Sequence, residues 1–361
     1  MRVLVVDDTI AYRTIVTKVL AEIPGVEVVG TASNGSLALS RIKSLKPDLL
    51  TLDIEMPEMS GLDVLEAIKR DSLNVGAIMV SSLTKKGGEL TIRALELGAF
   101  DFITKPDAGS AQDNANLIKM ALGKLIKAYA DQLEIRAILH GAIKPQPRYA
   151  AGVEPSPPVT ARKPTAETGL RAEVVGIGVS TGGPNALTRM LPMLPGDVNV
   201  PILIVQHMPP LFTLSLAKSL SAKCALTIKE AENGEPVLPN TAYIAPGGKQ
   251  MKIALGTDAR TKIINVTNDP PENHCRPSAD YLFRSLAHQY LGRATGVIMT
   301  GMGTDGVLGL RLMKRNPCKV IAQDQTSCVV FGMPKEAIDA GVVDIVAPLD
   351  MIAAEIVRTI R

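Results

Sequence analysis

The chain has 361 residues, 46% of them hydrophobic, which is enough for two or three domains with cores of their own. Basic residues number 39 against 36 acidic ones, tryptophan is absent and aromatics are only 3%, a composition that argues against a base-stacking nucleic-acid surface. No apolar run reaches membrane-spanning length and the opening MRVLVVDD reads as a strand, not a signal peptide, so the expectation is a soluble, cytoplasmic protein without membrane insertion.

By segment, residues 1–140 carry 16 basic against 18 acidic residues, 141–169 carry 4 against 2, and 170–361 carry 19 against 16. Neither large segment has the basic excess of a DNA-binding module. Cys224, Cys275, Cys318 and Cys328 show no metal-ligand spacing and read as reduced thiols, mostly core filler.

Strand-like runs recur at Val3–Val6, Val26–Thr31, Asp48–Leu52, Gly76–Ser81 and Phe100–Ile103, with amphipathic helical stretches between them. This alternation predicts a five-stranded parallel, doubly wound sheet whose functional residues sit at the carboxyl ends of the strands. Asp7 and Asp8 follow the first run, Asp53 closes the third, Ser81 the fourth, and Lys105 follows the fifth. Three carboxylates at one sheet edge repel unless a hard cation joins them, and oxygen ligands with open water positions suit Mg²⁺. Asp53 is then placed to attack a phosphoryl group; the competing reading is that acids at strand ends are merely solvated.

The motifs VVDD, DIEMPEMSGLD, VSS and ITKP make residues 1–125 resemble the flavodoxin-like receiver of response regulators. The resemblance implies a Mg²⁺-dependent aspartyl phosphate at Asp53, fed by a histidine kinase. Asp7, Asp8, Asp53 and the backbone carbonyl of Glu55 would hold the metal, with Ser81 as the switch hydroxyl and Lys105 on the phosphoryl oxygens.

Residues 113–140 read as a long final helix that overruns the usual receiver end, with His140 at its border. From 141 to 169, six prolines and few large apolar residues predict a semi-extended spacer, so that 126–169 joins the receiver to a second domain at 170–361.

That domain opens with AEVVGIGVSTGGPN, a buried strand to Val179 feeding a tight turn at Ser180, Thr181, Gly182 and Gly183 and a helix from Pro184. A serine on such a turn lies beside unpaired helix N-terminal amides that can hold an oxyanion. Two other readings fit the turn alone. The serine can be a simple cap, and Gly176, Gly178 and Gly182 approach a dinucleotide-binding spacing, although Thr181 stands where the strict fingerprint wants glycine. The next strand, Ile202–Val205, ends in Gln206-His207 and in a right-handed βαβ unit lies beside the first, bringing His207 within reach of Ser180. A dinucleotide fold wants an acid or arginine at that strand end. His274, in a proline-flanked loop, and His288, inside the helical pattern Ala279–Tyr290, are poorer candidates. After Thr295–Met299 comes Thr300-Gly301-Met302-Gly303-Thr304-Asp305-Gly306. There Asp305 can accept the second imidazole hydrogen if its strand flanks the first on the other side, or can cap the helix Gly306–Met313.

With GVSTGGP, IVQHMPP, YIAPGG, RPSAD, MTGMGTDG and CVVFGMPKEA, the chain closely resembles the chemotaxis protein-glutamate methylesterases, implying an α/β fold with a doubly wound Rossmann-like catalytic domain. The resemblance implies hydrolysis of glutamate γ-methyl esters and deamidation of glutamines on chemoreceptors, with no cofactor in the esterase site. Ser180 would be the nucleophile, His207 the base and Asp305 its orienter. The backbone amide of Met302 would hold the oxyanion and Thr181 would help position His207. The unphosphorylated receiver would cover the active-site face until phosphorylation of Asp53 relieves the block. The chain departs from the family pattern at Val179, Leu211, Leu214, Leu216 and Gln250. A catalytically silent regulator and a receiver-controlled dinucleotide enzyme remain as other readings; a DNA-binding output lacks both charge and a terminal helix-turn-helix pattern.

Overall fold

The computed structural model describes residues 1–106, 109–139 and 170–361. His140 and the proline-rich segment 141–169 lie outside the described residues.

The amino-terminal half runs β1 (Arg2–Val6), α1 (Ile10–Ala21), β2 (Glu27–Ala32), α2 (Gly35–Leu45), β3 (Leu49–Asp53), α3 (Gly61–Arg70), β4 (Gly76–Ser81), α4 (Lys85–Glu96), β5 (Asp101–Thr104) and α5 (Ala111–Leu139). Its strands pair in parallel in the order β2-β1-β3-β4-β5. The central strands are continuous apolar runs because helices cover both faces. Starts are written locally: Ser60 and Asp63 form a reciprocal capping box at α3, with the Asp63 carboxylate accepting the Ser60 N–H at 2.8 Å.

The carboxyl-terminal half runs β6 (Val174–Val179), α6 (Gly183–Met190), β7 (Ile202–Gln206), α7 (Phe212–Ser221), β8 (Thr227–Glu230), β9 (Thr241–Ile244), β10 (Gln250–Leu255) and β11 (Lys262–Thr267). It continues through α8 (Ala279–Tyr290), β12 (Ala294–Ile298), α9 (Val307–Lys314), β13 (Lys319–Gln323), α10 (Met333–Asp339), β14 (Ile345–Ala347) and α11 (Leu349–Ile360). Seven parallel strands take the order β14-β13-β12-β6-β7-β9-β8. β6 is therefore flanked by β7 on one side and β12 on the other, the arrangement expected from the sequence. The chain reverses direction across the sheet at β6, and the crevice outside the strand ends opens there. Strands β8, β9, β13 and β14 and the antiparallel hairpin β10–β11 have no counterpart in the sequence-based expectation. The first two are four residues each, too short to show a period of their own.

The halves meet through α4 and α7. Gly88 allows the approach, since a Cβ there would lie 3.0 Å from Ser215 Oγ and 3.3 Å from the Leu211 carbonyl oxygen. Phe102 of β5 stacks on the fully buried Phe212 of α7, with ring centroids 4.8 Å apart and planes 13° from parallel. Lys218 pairs with Glu89 at 3.7 Å, while Lys223 and Ser219 both reach Glu96. Leu216 is core, Leu214 is half-buried and Leu211 stands at the start of α7 with its carbonyl against α4, so three of the departures lie on the helix that docks the amino-terminal half.

Candidate active site

At the receiver edge, the ligand oxygens of Asp7, Asp8 and Asp53 lie within 4.8 Å of one another. Lys105 Nζ sits 2.9 Å from Asp7 Oδ2 and 2.7 Å from Asp53 Oδ2. Burial, with Asp7 and Asp8 beside it, outweighs Lys105 and pushes the Asp53 carboxyl up to about 6. A carboxylate held this high among two others is short of positive charge, and the all-oxygen donor set suits a hard divalent cation. The Ser81 hydroxyl accepts from Thr91 Oγ1 at 2.8 Å in α4, which ties the end of β4 to the interdomain helix. The Glu55 side chain points away to Lys86 at 3.0 Å and Ser82 at 3.1 Å. Gly61 is required behind Asp53: a Cβ there would fall 2.2 Å from the Asp53 carbonyl oxygen.

In the second domain the serine turn is fixed by its backbone. Ser180 N–H donates to the Thr300 carbonyl at 3.0 Å, and its own carbonyl accepts from Gly183 N–H at 2.7 Å and Gln206 Nε2 at 3.0 Å. Gly182 adopts φ +74°, and Gly183 leaves room for Gln206 and Val179, whose atoms would lie 1.9 and 2.7 Å from a Cβ there. Val179 is thus accommodated by the glycine after the turn. Pro184 occupies the second residue of α6, one later than expected from the sequence.

His207 follows β7 and its Nε2 lies 2.8 Å from Asp305 Oδ2. Because the carboxylate can only accept, Nε2 carries hydrogen, and Nδ1 faces the cavity. Asp305, 2% exposed, also accepts from Ser278 Oγ (2.7 Å), Ala279 N–H (2.6 Å), Asp280 N–H (3.2 Å) and Asn273 Nδ2 (3.0 Å). It therefore sits on the N-terminus of α8. The helix expected to follow it, α9, starts from Gly306 without a side-chain cap. Burial alone would raise the Asp305 carboxyl, but His207 and these donors hold it down at about 2. For His207, burial opposes the charged ring, yet Asp305 and the neighbouring Cys275 outweigh it and raise its pKa.

Ser180, Thr181, His207, Asn273, His274, Cys275, Met302 and Gly303 line one cavity of about 740 Å³, roofed by the receiver residues Asp101–Thr104 and α5. Ser180 and His207 share that cavity without a direct hydrogen bond between them. The Thr181 hydroxyl and Gly182 N–H face the Asp101 carboxyl of the receiver, which burial pushes up to about 7 against their influence. The Met302 side chain packs onto the core of the receiver.

Sequence reasoning missed Asn273, Ser278, Asp280 and Cys275. RPSAD carries the cap signal of α8, but no pattern announces that this helix receives Asp305. Cys275 is not core filler: it is half-buried with Sγ 3.7 Å from His207 Nδ1. Gln250, fully buried, accepts from Ser278 N–H at 2.9 Å and donates to the carbonyls of Pro270 (3.1 Å) and Cys275 (3.3 Å), so this departure braces the loop behind His207 and Asp305.

Among the described residues no helix is long and apolar enough to cross a membrane. Residues 175–356 match the CheB methylesterase family and residues 3–115 the response regulator receiver domain. A protein-glutamate methylesterase/protein-glutamine glutaminase of Desulfotalea psychrophila is 51% identical over 364 residues, covering 100% of this chain and 99% of that protein. A Bacillus subtilis protein of the same name is 42% identical, with 100% and 99% covered. Among solved structures, the CheB methylesterase catalytic domain of Thermotoga maritima is 40% identical, with a TM-score of 0.50, covering 52% of this chain and 99% of that one. Matched over both halves and nearly end to end by such relatives, the chain belongs to the CheB methylesterase family, with a response-regulator receiver ahead of its catalytic domain.

Proposed function

We propose that this chain is a receiver-gated serine hydrolase that demethylates glutamate γ-methyl esters and deamidates glutamines on chemoreceptors, with Ser180, His207 and Asp305 as its catalytic residues. The observation that carries the reading is the Asp305–His207 pair at the mouth of the Ser180 turn, inside a cavity roofed by the receiver. The two activities are those in the name its curated relatives share.

Ser180 Oγ attacks the side-chain carbonyl while His207 Nδ1 takes its proton, and Asp305 stabilises the resulting imidazolium through Nε2. The oxyanion is held at the backbone amide of Met302. His207 then returns the proton to the leaving group, so methanol departs from an ester and ammonia from an amide. Water, deprotonated by the same nitrogen, cleaves the acyl-serine and restores the enzyme. Thr181 belongs to the turn and, in the closed form, to the receiver contact.

The receiver takes a phosphoryl group from a histidine kinase on Asp53, and Ser81 and Lys105 meet its oxygens. Asp7, Asp8, Asp53 and the Glu55 carbonyl would hold Mg²⁺, which when bound neutralises charge on the transferring phosphoryl group. In the unphosphorylated chain, Asp101 and Phe102 cover the serine turn and α7. A receptor helix, roughly 10–12 Å wide with its side chains, has no path to Ser180 until they separate.

The test is methanol release from methylated receptor membranes by wild type and Ser180→Ala, each with and without Mg²⁺ and a small phosphoryl donor. Release by wild type alone, rising with donor, is expected. Equal release by both proteins, with the isolated catalytic domain also unreactive towards a serine-directed acylating probe, would leave a silent regulator as the better description.

A further inference from the structure

We propose that Cys275 Sγ and His207 Nδ1 form a binding site for a borderline-soft divalent cation of the zinc type, and that an ion held there switches the hydrolase off. The two atoms are 3.7 Å apart. Zinc–sulfur and zinc–nitrogen bonds at a tetrahedral angle put them about 3.6 Å apart. Potential ligand atoms of His207, Cys275 and Asp305 all lie within 4.8 Å of one another.

The three residues have different parts in the site. Both Asp305 oxygens are already taken by hydrogen bonds from the ring, Ser278, Asn273 and the start of α8. Asp305 is therefore the outer carboxylate that fixes the ring through Nε2 and makes Nδ1 a better donor to a metal, the arrangement metal-bound histidines favour. Nδ1 and Sγ face the cavity shared with Ser180 and His274, where water or a side chain can complete four ligands. The thiol is held in place, with Sγ 3.4 Å from the Asn273 carbonyl oxygen and the Cys275 carbonyl bound by Gln250.

Ligand chemistry separates this site from the receiver edge. Asp7, Asp8 and Asp53 offer only hard oxygen, whereas a thiol with an imidazole selects zinc over magnesium. Binding releases the thiol proton to solvent and forms the metal–thiolate bond. The metal also takes the Nδ1 lone pair that would otherwise accept the Ser180 proton. The inhibitory half of this inference rests on His207 acting as the base; the binding half does not.

The experiment uses the full chain in saturating Mg²⁺, with Cd²⁺ as the spectroscopic probe and Zn²⁺ as the inhibitor. Wild type should show an ultraviolet cadmium–thiolate band with release of a proton. Cys275→Ser and Cys275→Ala, which retain the other three cysteines, should bind at least about 10-fold more weakly, and Asp305→Asn about 10–100-fold more weakly. Zn²⁺ should inhibit wild-type methanol release, and each Cys275 variant, referred to its own metal-free rate, should need at least about 10-fold more Zn²⁺. Identical Cd²⁺ binding by wild type and both Cys275 variants would overturn the site. A Cys275-dependent band with no inhibition of an active enzyme would overturn the switch. If no receptor preparation yields methanol, the functional reading fails while the binding arm still decides the site.

Discussion

Phe102→Ala should release the catalytic domain without phosphate. Phe102 is half-buried and its ring lies flat on Phe212, 4.8 Å between centroids, where β5 of the receiver meets α7. Half of the burial energy of a phenylalanine is about 1 kcal/mol. A stacked aromatic pair adds about 1 kcal/mol beyond its area. Together they favour the closed arrangement by about 2 kcal/mol, or about a 30-fold shift in the closed-to-open ratio. The assay is the initial rate of methanol release from methylated receptor membranes by unphosphorylated protein, set beside the donor-treated rate. The unphosphorylated rate should rise by up to about 30-fold, limited by the donor-treated rate, which should not change. Phe102→Leu, which keeps apolar bulk but loses the stack, should fall between. An unchanged unphosphorylated rate in a variant with a wild-type unfolding midpoint would refute the idea that this contact holds the enzyme shut.

Gly301→Ala should abolish hydrolysis and lower stability by about 1–3 kcal/mol, because its Cβ would lie 2.5 Å from Met333 Sδ and 2.7 Å from Ser180 Cβ; wild-type activity with an unchanged melting temperature would contradict this. Asp101 is pushed from 3.8 to about 7 by burial in the closed form, so closure binds a proton that opening releases. Closure therefore weakens as pH rises through that window and changes no further above it. The ratio of unphosphorylated rates, wild type over Asp101→Asn, should climb with pH to about 7 and then level; a flat ratio would remove Asp101 from the latch. Taking the ratio cancels the titration of His207. At the receiver edge, Mg²⁺ must displace the proton that burial and two neighbouring acids keep on Asp53 up to about 6. Calorimetric Mg²⁺ affinity should fall as pH drops through that value, and an affinity constant down to pH 5 (roughly one unit below it) would refute the ligand assignment.

The five-stranded sheet and the three central strands of the seven-stranded sheet, β6, β7 and β12, were legible in the residues because local chemistry writes them. Apolar runs of four to six residues end in Asp7, Asp53, Ser180 and His207, and the helices after Asp53 and Ser180 carry start signals of their own, the capping box at Ser60 and Pro184 in the first turn. The right-handed crossover rule then put β7 beside β6, and the glycine turns showed which strand ends face a cleft. Strand-end acids, the serine turn and the histidine could be found one by one, since each follows its own strand by a residue or two.

Partners distant in the chain were decided by tertiary structure alone. Asp305 reads equally well as a cap for α9, and only the packing of α8 against α9 brings it to the start of α8, 26 residues earlier in sequence, and to His207, 98 residues earlier. Cys275 looks like filler because its one informative neighbour, the His207 ring, lies across the cavity. Thr181 also meets the buried Asp101 carboxyl across the closed interface, a contact between domains that no local pattern announces. Periodicity and caps record interactions spanning a few residues. A hydrogen bond between two loops, or between two domains, leaves no period in either, so its partner is fixed only when the folded surfaces meet.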